Sequence, residues 1–456
     1  MQHLITPLLA AALLVISTAP VQADLGDQLA KLLPKDGAAN DWFGFSVAIS
    51  GDTAIVGSID DEDNGDSSGS AYLFDISDPT SPTQIAKLLP DDGAASDEFG
   101  YSVAISGTIA IVGARHHDDN GHFSGSAYLF DTSTGRQLAE LLSDDGAAGD
   151  GFGSSVAISG ATAIVGARGD DDNGGGSGSA YVFDATSGQQ LFKLLADDGA
   201  EGDQFGFSVA VSGTTAIVGA PIDDDSFGSA YLFDTKTGRL ITKLLPDDGA
   251  GNDWFARSVA ISGDTAIVGA PQTPNQGNGL AYLFDITTGR QITRLLADDG
   301  AMDDRLGWTV AISGAVAVVG APTDDDNGNF SGSVYLFDTA TGRQIAKLLP
   351  DDGATGDQFG VSVASGGAPG KESAIIGAFQ DDDNGGSSGS AYLFDAAAPG
   401  TCPWDLDDNG IVGAADLLGL LVSWGPCQGC PADFDGNGAV GASDLLALLA
   451  NWGPCP

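Results

Sequence analysis

Apolar residues along this chain fall in short runs of four to six, each closed by Gly, Ser or Asp. Such runs are too short for most helices and suit strands. They also repeat. A Phe-Gly pair ahead of a Ser-Val-Ala strand recurs at Phe43, Phe99, Phe152, Phe205, Phe255, Leu306 and Phe359, with Ala256 replacing Gly in the fifth copy and Leu306 replacing Phe in the sixth. The tyrosine of a Tyr-Leu-Phe-Asp run follows at Tyr72, Tyr128, Tyr181, Tyr231, Tyr282, Tyr335 and Tyr392, and spacings run from 50 to 57 residues. Each unit reads as FGxSVAIS, a Gly turn, TAIVGA, an acidic loop, GSAYLFD, a TGR turn and QIAKLL. TAIVGA is apolar throughout, which predicts a strand buried on both faces. Ser50-Gly51-Asp52-Thr53 predicts a tight hairpin. Four short antiparallel strands, repeated seven times, predict an all-β seven-bladed β-propeller.

The strand count also predicts how the ring closes. QIAKLL follows units one to six, but after the seventh, Phe394-Asp395 runs into Ala-Ala-Ala-Pro-Gly. The missing copy stands at the front, residues 28–33. The N-terminal strand is therefore expected to complete the last blade and remove its open edge. Blade seven carries an insertion from Gly366 to Glu372, read as a lengthened hairpin. The FG…SVA…VGA…YLF pattern over residues 28–395 resembles the FG-GAP repeat of the integrin α-chain propeller and of many exported bacterial proteins. That resemblance is specific for fold and weak for function. The calcium loop that integrin propellers carry in the first hairpin does not transfer, because here that hairpin is only Ser-Gly-Asp-Thr or a close variant.

Charge changes the picture next. There are 17 Lys+Arg against 63 Asp+Glu, a net charge of −46. Binding nucleic acid or an anionic membrane surface needs clustered Lys/Arg, so neither is expected as a partner. Strand order sends the links between strands two and three, and between blades, to one face. That face receives DDDNG loops such as Asp170-Asp171-Asp172-Asn173-Gly174 and Asp-Asp-Gly-Ala loops such as Asp91-Asp92-Gly93-Ala94. The opposite face receives turn basics such as Arg136, Arg239, Arg290 and Arg343. Clustered Asp oxygens suit Ca²⁺, but the same residues make good turns and soluble surfaces, and the DDDNG spacing matches no defined twelve-residue calcium loop.

Residues 1–23 read as a secretory signal peptide. Leu8 to Ile16 form an apolar run, and Val21-Gln22-Ala23 is a small-x-small cleavage pattern, although no Lys or Arg precedes the run. A secreted or cell-surface location, without membrane insertion, is expected. Residues 24–395 form the propeller, 396–401 a linker and 402–456 a second module.

That module is a 28-residue duplication, Cys402 to Cys427 and Cys430 to Cys455. Each copy spaces oxygen donors as a calcium loop does: Asp405, Asp407, Asn409, the Ile411 carbonyl and Asp416 in the first, and Asp433, Asp435, Asn437, the Ala439 carbonyl and Asp444 in the second. Gly410 and Gly438 stand where the loop turns sharply. Each loop leads into an apolar helix ended by Trp-Gly-Pro, at Trp424 and Trp452. With no helix before either loop, and Asp rather than Glu at position twelve, the module resembles the dockerin type I repeat. The resemblance implies bound Ca²⁺ and docking to a cohesin-like receptor on an extracellular or cell-surface protein, often in polysaccharide-degrading assemblies. The cysteines depart from it. Three pairings are open to them, and Cys402–Cys427 with Cys430–Cys455 is favoured because each repeat then carries its own staple.

Catalysis should break the repeat symmetry at one place. His116-His117-Asp118-Asp119-Asn120-Gly121-His122 in blade two has the ligand types for zinc or copper, without the fixed spacing of a catalytic site. Arg257, Arg305 and Trp308, beside the changed loop Gln272 to Gln276, suit a less acidic pocket for a sugar or peptide. Gly65-x-Ser67-x-Gly69 and Gly385-x-Ser387-x-Gly389 match a hydrolase elbow but do not join a strand to a helix. Asp pairs repeated in most blades read as architecture rather than as one hydrolytic site. The expectation is a non-catalytic, exported, calcium-binding propeller, with a polysaccharide-binding or polysaccharide-degrading component as the alternative. A salt-adapted structural protein is a third reading.

Overall fold

The computed structural model describes residues 25–248, 253–271, 277–368, 371–397, 406, 411–426, 432, 439–450 and 452–454. Among them, seven four-stranded antiparallel sheets follow one another along the chain. Blade one is typical: Phe43–Ser50, Thr53–Ser58, Ser70–Asp75 and Thr83–Leu88, hydrogen-bonded in sequence order. The first strands of successive blades lie side by side and therefore line the axis. Phe43–Ser50 meets Phe99–Ser106 on one side and, across the join, Ser362–Ala368 on the other.

No blade has a core of its own. The second strand is buried on both faces, as its unbroken apolar run requires, with Ala54, Ile55 and Val56 fully enclosed. Ile55 and Leu73 of blade one pack on Val103, Val112 and Tyr128 of blade two, and the same layer recurs around the ring. Stability is therefore a sum of interfaces between neighbours. Phe99 anchors its layer edge-on against Tyr128 and Phe130, at ring-centroid distances of 5.7 and 5.8 Å. The glycine beside it has a separate role. Gly100 has φ +92°, and a Cβ there would lie 2.3 Å from the Ser70 carbonyl oxygen of the preceding blade. The Phe99 amide meanwhile bonds the Ser68 carbonyl at 3.0 Å. In the five blades that carry it, Phe-Gly thus stitches the blade to the one before it.

Ring closure follows the strand count. Gln28–Leu32 pairs antiparallel with Ser390–Asp395, from Gln28 opposite Phe394 to Leu32 opposite Ala391. The insertion in blade seven lengthens the hairpin between Ser362–Ala368 and Lys371–Ala378, ending at Ala368 opposite Lys371.

Beyond the propeller, two helices, Ala414–Val422 and Ala442–Ala450, carry the apolar runs of the duplication. Ile411–Val412 pairs with Gly453–Pro454, and Gly425–Pro426 with Ala439–Val440, so each copy is strapped to the other. Val412, Leu420, Ala432, Val440 and Leu448 form a small shared core. The signal segment, the four cysteines and Asp405, Asp407, Asn409, Asp433, Asp435 and Asn437 lie outside the described residues.

Candidate functional site

The acidic loops meet on one face, as strand order requires, but they do not meet as bare carboxylates. The fourth strand places lysine among them, where sequence reasoning had placed basic residues only on the opposite face. In blade three, Lys193 stands opposite Tyr181 in the sheet. Its Nζ lies 2.7 Å from Asp145, 2.9 Å from Asp170 and 2.7 Å from Asp172. Asp145 comes from the loop between blades, and the other two come from the DDDNG loop. The Tyr181 hydroxyl donates to Asp145 and Asp170 at 3.0 and 2.9 Å. Burial pushes the Asp170 carboxyl up, but hydrogen bonds from Lys193, the Asp172 amide and Tyr181 outweigh it and hold the group below the ordinary aspartate value.

Lys31, Lys87, Lys243 and Lys347 build the same cage, each on three aspartates. In these blades an ammonium fills the place that the calcium alternative offered. The middle Asp is used by the loop itself: Asp171 accepts from the Gly176 amide at 2.7 Å. In blade five, Arg294 pairs with Asp248.

Blade two departs from the pattern. Glu140 occupies the lysine register, opposite Tyr128. His117 occupies the inner aspartate position, with Nδ1 3.0 Å from Asp97 and Nε2 3.3 Å from Asp119 and 3.9 Å from Asp92. Burial, then Asp119 and Asp92, push Glu140 up to about 7. The bond to Asp97 lifts His117 to about 9 against its burial. The other two histidines of the motif stay outside this group: His116 stacks on Phe123 at 4.3 Å and faces Glu98, and His122 lies against the same ring.

A second set of buried aspartates precedes each Phe-Gly. Asp41, Asp304 and Asp357 accept from amides three residues back, at 2.6, 2.5 and 2.6 Å. Burial raises all three to about 6, their own amide bonds notwithstanding. A raised folded value stabilises fully below the ordinary aspartate value of 3.8 and loses that contribution as pH rises through about 6. Asp36, Asp170, Asp198, Asp299 and Asp352 of the lysine cages act oppositely: their contribution is present above 3.8 and lost as pH falls through their depressed values. Calorimetry at constant calcium is therefore expected to show a higher Tm near pH 5 than near pH 7.5, and a fall below about pH 3.5. A Tm that climbs steadily from pH 5 to 7.5 would contradict this assignment.

Where the first strands begin, at the axial mouth of the acidic face, the repeat symmetry breaks again. Side chains there form a half-buried collar of aromatic and guanidinium groups. Arg257 lies over Trp308 at 3.5 Å and shares Phe207 with Arg168, each 5.4 Å from that ring. Arg305 lies 5.3 Å from the same Trp308 ring, and Arg115 covers Tyr101 at 3.8 Å. Phe45, Phe379 and Trp42 continue the chain of rings. Arg115 is paired with Glu98. Arg168, Arg257 and Arg305 have no carboxylate partner among the described residues. Burial, with Arg168 and Arg305 close by, pushes Arg257 down to about 10. The structure thus brings together Arg257, Arg305 and Trp308, as the sequence suggested, and adds residues from blades one to four and seven. A strongly acidic protein holds a cationic, aromatic ring at its centre.

Of the donors expected in the C-terminal module, Ile411, Asp416, Ala439 and Asp444 are among the described residues. Asp416 and Asp444 are fully buried. Asp416 accepts from the Leu406 and Gly413 amides at 2.5 and 2.7 Å, and Asp444 from the Gly441 amide at 2.8 Å. Ile411 and Ala439 open the short strands. The helices leave a duplicated apolar set in solvent: Leu418 and Leu446, Leu421 and Leu449, Trp424 and Trp452, exposed by 48 to 67%.

Comparison with known proteins adds the family. The FG-GAP repeat matches residues 27–74, 82–130, 136–183, 189–233, 239–284, 290–337 and 343–394, one match per blade. No curated protein matches the chain. Among the described residues no helix is long and apolar enough to cross a membrane. The chain belongs to the FG-GAP repeat family, whose propellers are compatible with protein–protein binding.

Proposed function

We propose that this FG-GAP propeller is an exported, non-catalytic binding protein, held to an extracellular or cell-surface partner by a calcium-binding, dockerin-like C-terminal module. The observation that carries the docking half is the duplicated apolar set. Leu418, Leu421 and Trp424 recur as Leu446, Leu449 and Trp452, each pair one repeat apart, and all six face solvent. Exposed apolar side chains that obey the repeat mark a recognition surface more readily than drift does. Calcium at the two loops, on Asp405, Asp407, Asn409, Ile411 and Asp416 and on their second-copy equivalents, would set the angle of each helix. The binding half is supported by the cages. Carboxylates locked to lysine at 2.5–3.3 Å are poor acids and bases for hydrolysis.

A second reading is favoured by the collar: unpaired guanidinium groups beside half-buried rings suit an anionic sugar or an acidic peptide. One experiment separates the two. Full-length protein, a form ending at Gly400, and Leu418→Asp/Leu446→Asp would be used to capture partners from surface and secreted fractions, with calcium or chelator. Docking predicts capture by the full chain in calcium alone, lost in the other two forms. Capture that survives truncation and chelation but fails in Arg257→Ala would move recognition to the collar and overturn the docking half.

A further inference from the structure

Blade two places four ligand atoms where its neighbours place a lysine among aspartates. Asp92 comes from the loop joining blades one and two, His117 and Asp119 from the loop after the second strand, and Glu140 from the fourth strand. One donor from each lies within 4.8 Å of all the others. The residue that supplies a cation elsewhere is here the third acid of the group, beside Asp92 and Asp119, so the local charge has no fixed ammonium to answer it. Three buried polar atoms make no hydrogen bond: His117 Nε2, Glu140 Oε1 and the Tyr128 hydroxyl. His117 is only 5% exposed and Tyr128 not at all. Elsewhere the equivalent hydroxyl is used, as in Tyr72 to Asp61 and Tyr335 to Asp299 and Asp324. A protonated His117 standing in for lysine would balance charge and face Asp119, yet it would still leave the Tyr128 hydroxyl without a hydrogen bond.

We propose that blade two holds a divalent transition metal of the zinc class on Asp92, His117 Nε2, Asp119 and Glu140. The donor set decides the class. An imidazole nitrogen with carboxylates suits zinc and its neighbours, whereas calcium takes six to eight oxygens. Asp97 beside Nδ1 supplies the carboxylate–histidine support that fixes the ring and turns Nε2 inward. A cleft of about 420 Å³, walled by His116, Asp118 and His122, opens beside the group and gives an ion a way in. The metal ties together the same three segments that lysine ties in the other blades. A coordinated water would give Tyr128 its missing partner.

The test compares the full chain with His117→Asp/Glu140→Lys, which rebuilds the lysine cage of the neighbouring blades and so retains the fold. Chelator-stripped protein, resupplied with excess calcium, would be titrated with zinc chloride by calorimetry. The wild type is expected to take up one equivalent more than the double variant, with proton release. Its Tm should rise on the order of 3 °C at a hundredfold excess over Kd, while the variant's stays put. His116→Ala/His122→Ala should keep the uptake. Equal zinc uptake by wild type and His117→Asp/Glu140→Lys would overturn the proposal in favour of an ion-pair cage, as would a loss confined to His116→Ala/His122→Ala.

Discussion

Removing residues 25–33 is expected to abolish the cooperatively folded propeller. The segment contributes the outer strand of the closing blade, and its losses fall at one place. Leu32, 1% exposed, leaves the layer between blades seven and one, where Leu29 also packs, and Leu25 leaves the neighbouring layer. Burying one such side chain is worth about 1.5–3 kcal/mol. The ladder to Ser390–Asp395 goes, with the flanking bonds from the Gly26 amide to Asp395 and from the Asp395 amide to Asp27; each is worth about 1 kcal/mol. Lys31 leaves Asp352, Asp381 and Asp383 without their cation. The sum is comparable to the roughly 5–15 kcal/mol of stability a folded protein has in hand. The bared strand is also a ready template for aggregation. The control is a permuted chain in which residues 25–33 follow Ala397, which restores the pairing from the other side and should unfold with a wild-type midpoint in denaturant. A truncated form with a sharp, near-native transition would show that the clasp is dispensable.

Lys193→Met should cost about 3 kcal/mol near neutral pH, the low end of what breaking a buried ion pair costs. The variant keeps the packing of the stem and removes only the charge. Asp170, 5% exposed at the side chain, then stays buried with Tyr181 and loop amides alone, while Asp145 and Asp172, each about half exposed, are rescued by water. The sign follows from the depressed Asp170 value: the pairing stabilises above the ordinary aspartate range and is lost as pH falls through the folded value. The midpoint gap between variant and wild type in urea should therefore be widest near pH 7 and close near pH 3. A gap independent of pH would mean that Lys193 acts through its stem and not its ammonium.

The blades and their closure were readable because each rests on one repeated signal. AIVGA, after its leading Thr, has no polar position and must be enclosed, and a missing QIAKLL at one end with a spare at the other admits a single assembly. The cages were not readable, and a backbone irregularity explains why. In the fourth strand of blade one, Phe74 faces Gln84 and Leu73 faces Ala86, so Ile85 is an extra residue that bulges out. The bulge changes which side chains share a face, leaves Ile85 40% exposed and turns Lys87 toward Asp36, Asp61 and Asp63. Plain alternation along Q-I-A-K-L-L hides this. A usable signal existed in the column itself: lysine in five copies, arginine at Arg294, and a reversal of sign only at Glu140, in the copy that also carries His117. The axial collar was half visible, since Arg257, Arg305 and Trp308 break the repeat, but their meeting with Phe207 and Arg168 needs the ring to be closed.

Closure by the two ends of the propeller also sets a schedule. Every other blade is finished within its own stretch of chain, whereas residue 28 waits for residue 394. At about 5–20 residues per second, the roughly 360 residues between them take on the order of 20–70 s to synthesise. For that interval the first strand is an unmatched apolar segment, and six blades stand as an open arc with two raw flanks. A newly made molecule is thus most exposed to its neighbours just before its last blade emerges. Slowing synthesis beyond Leu348 should raise aggregation more than an equal pause at any earlier blade boundary.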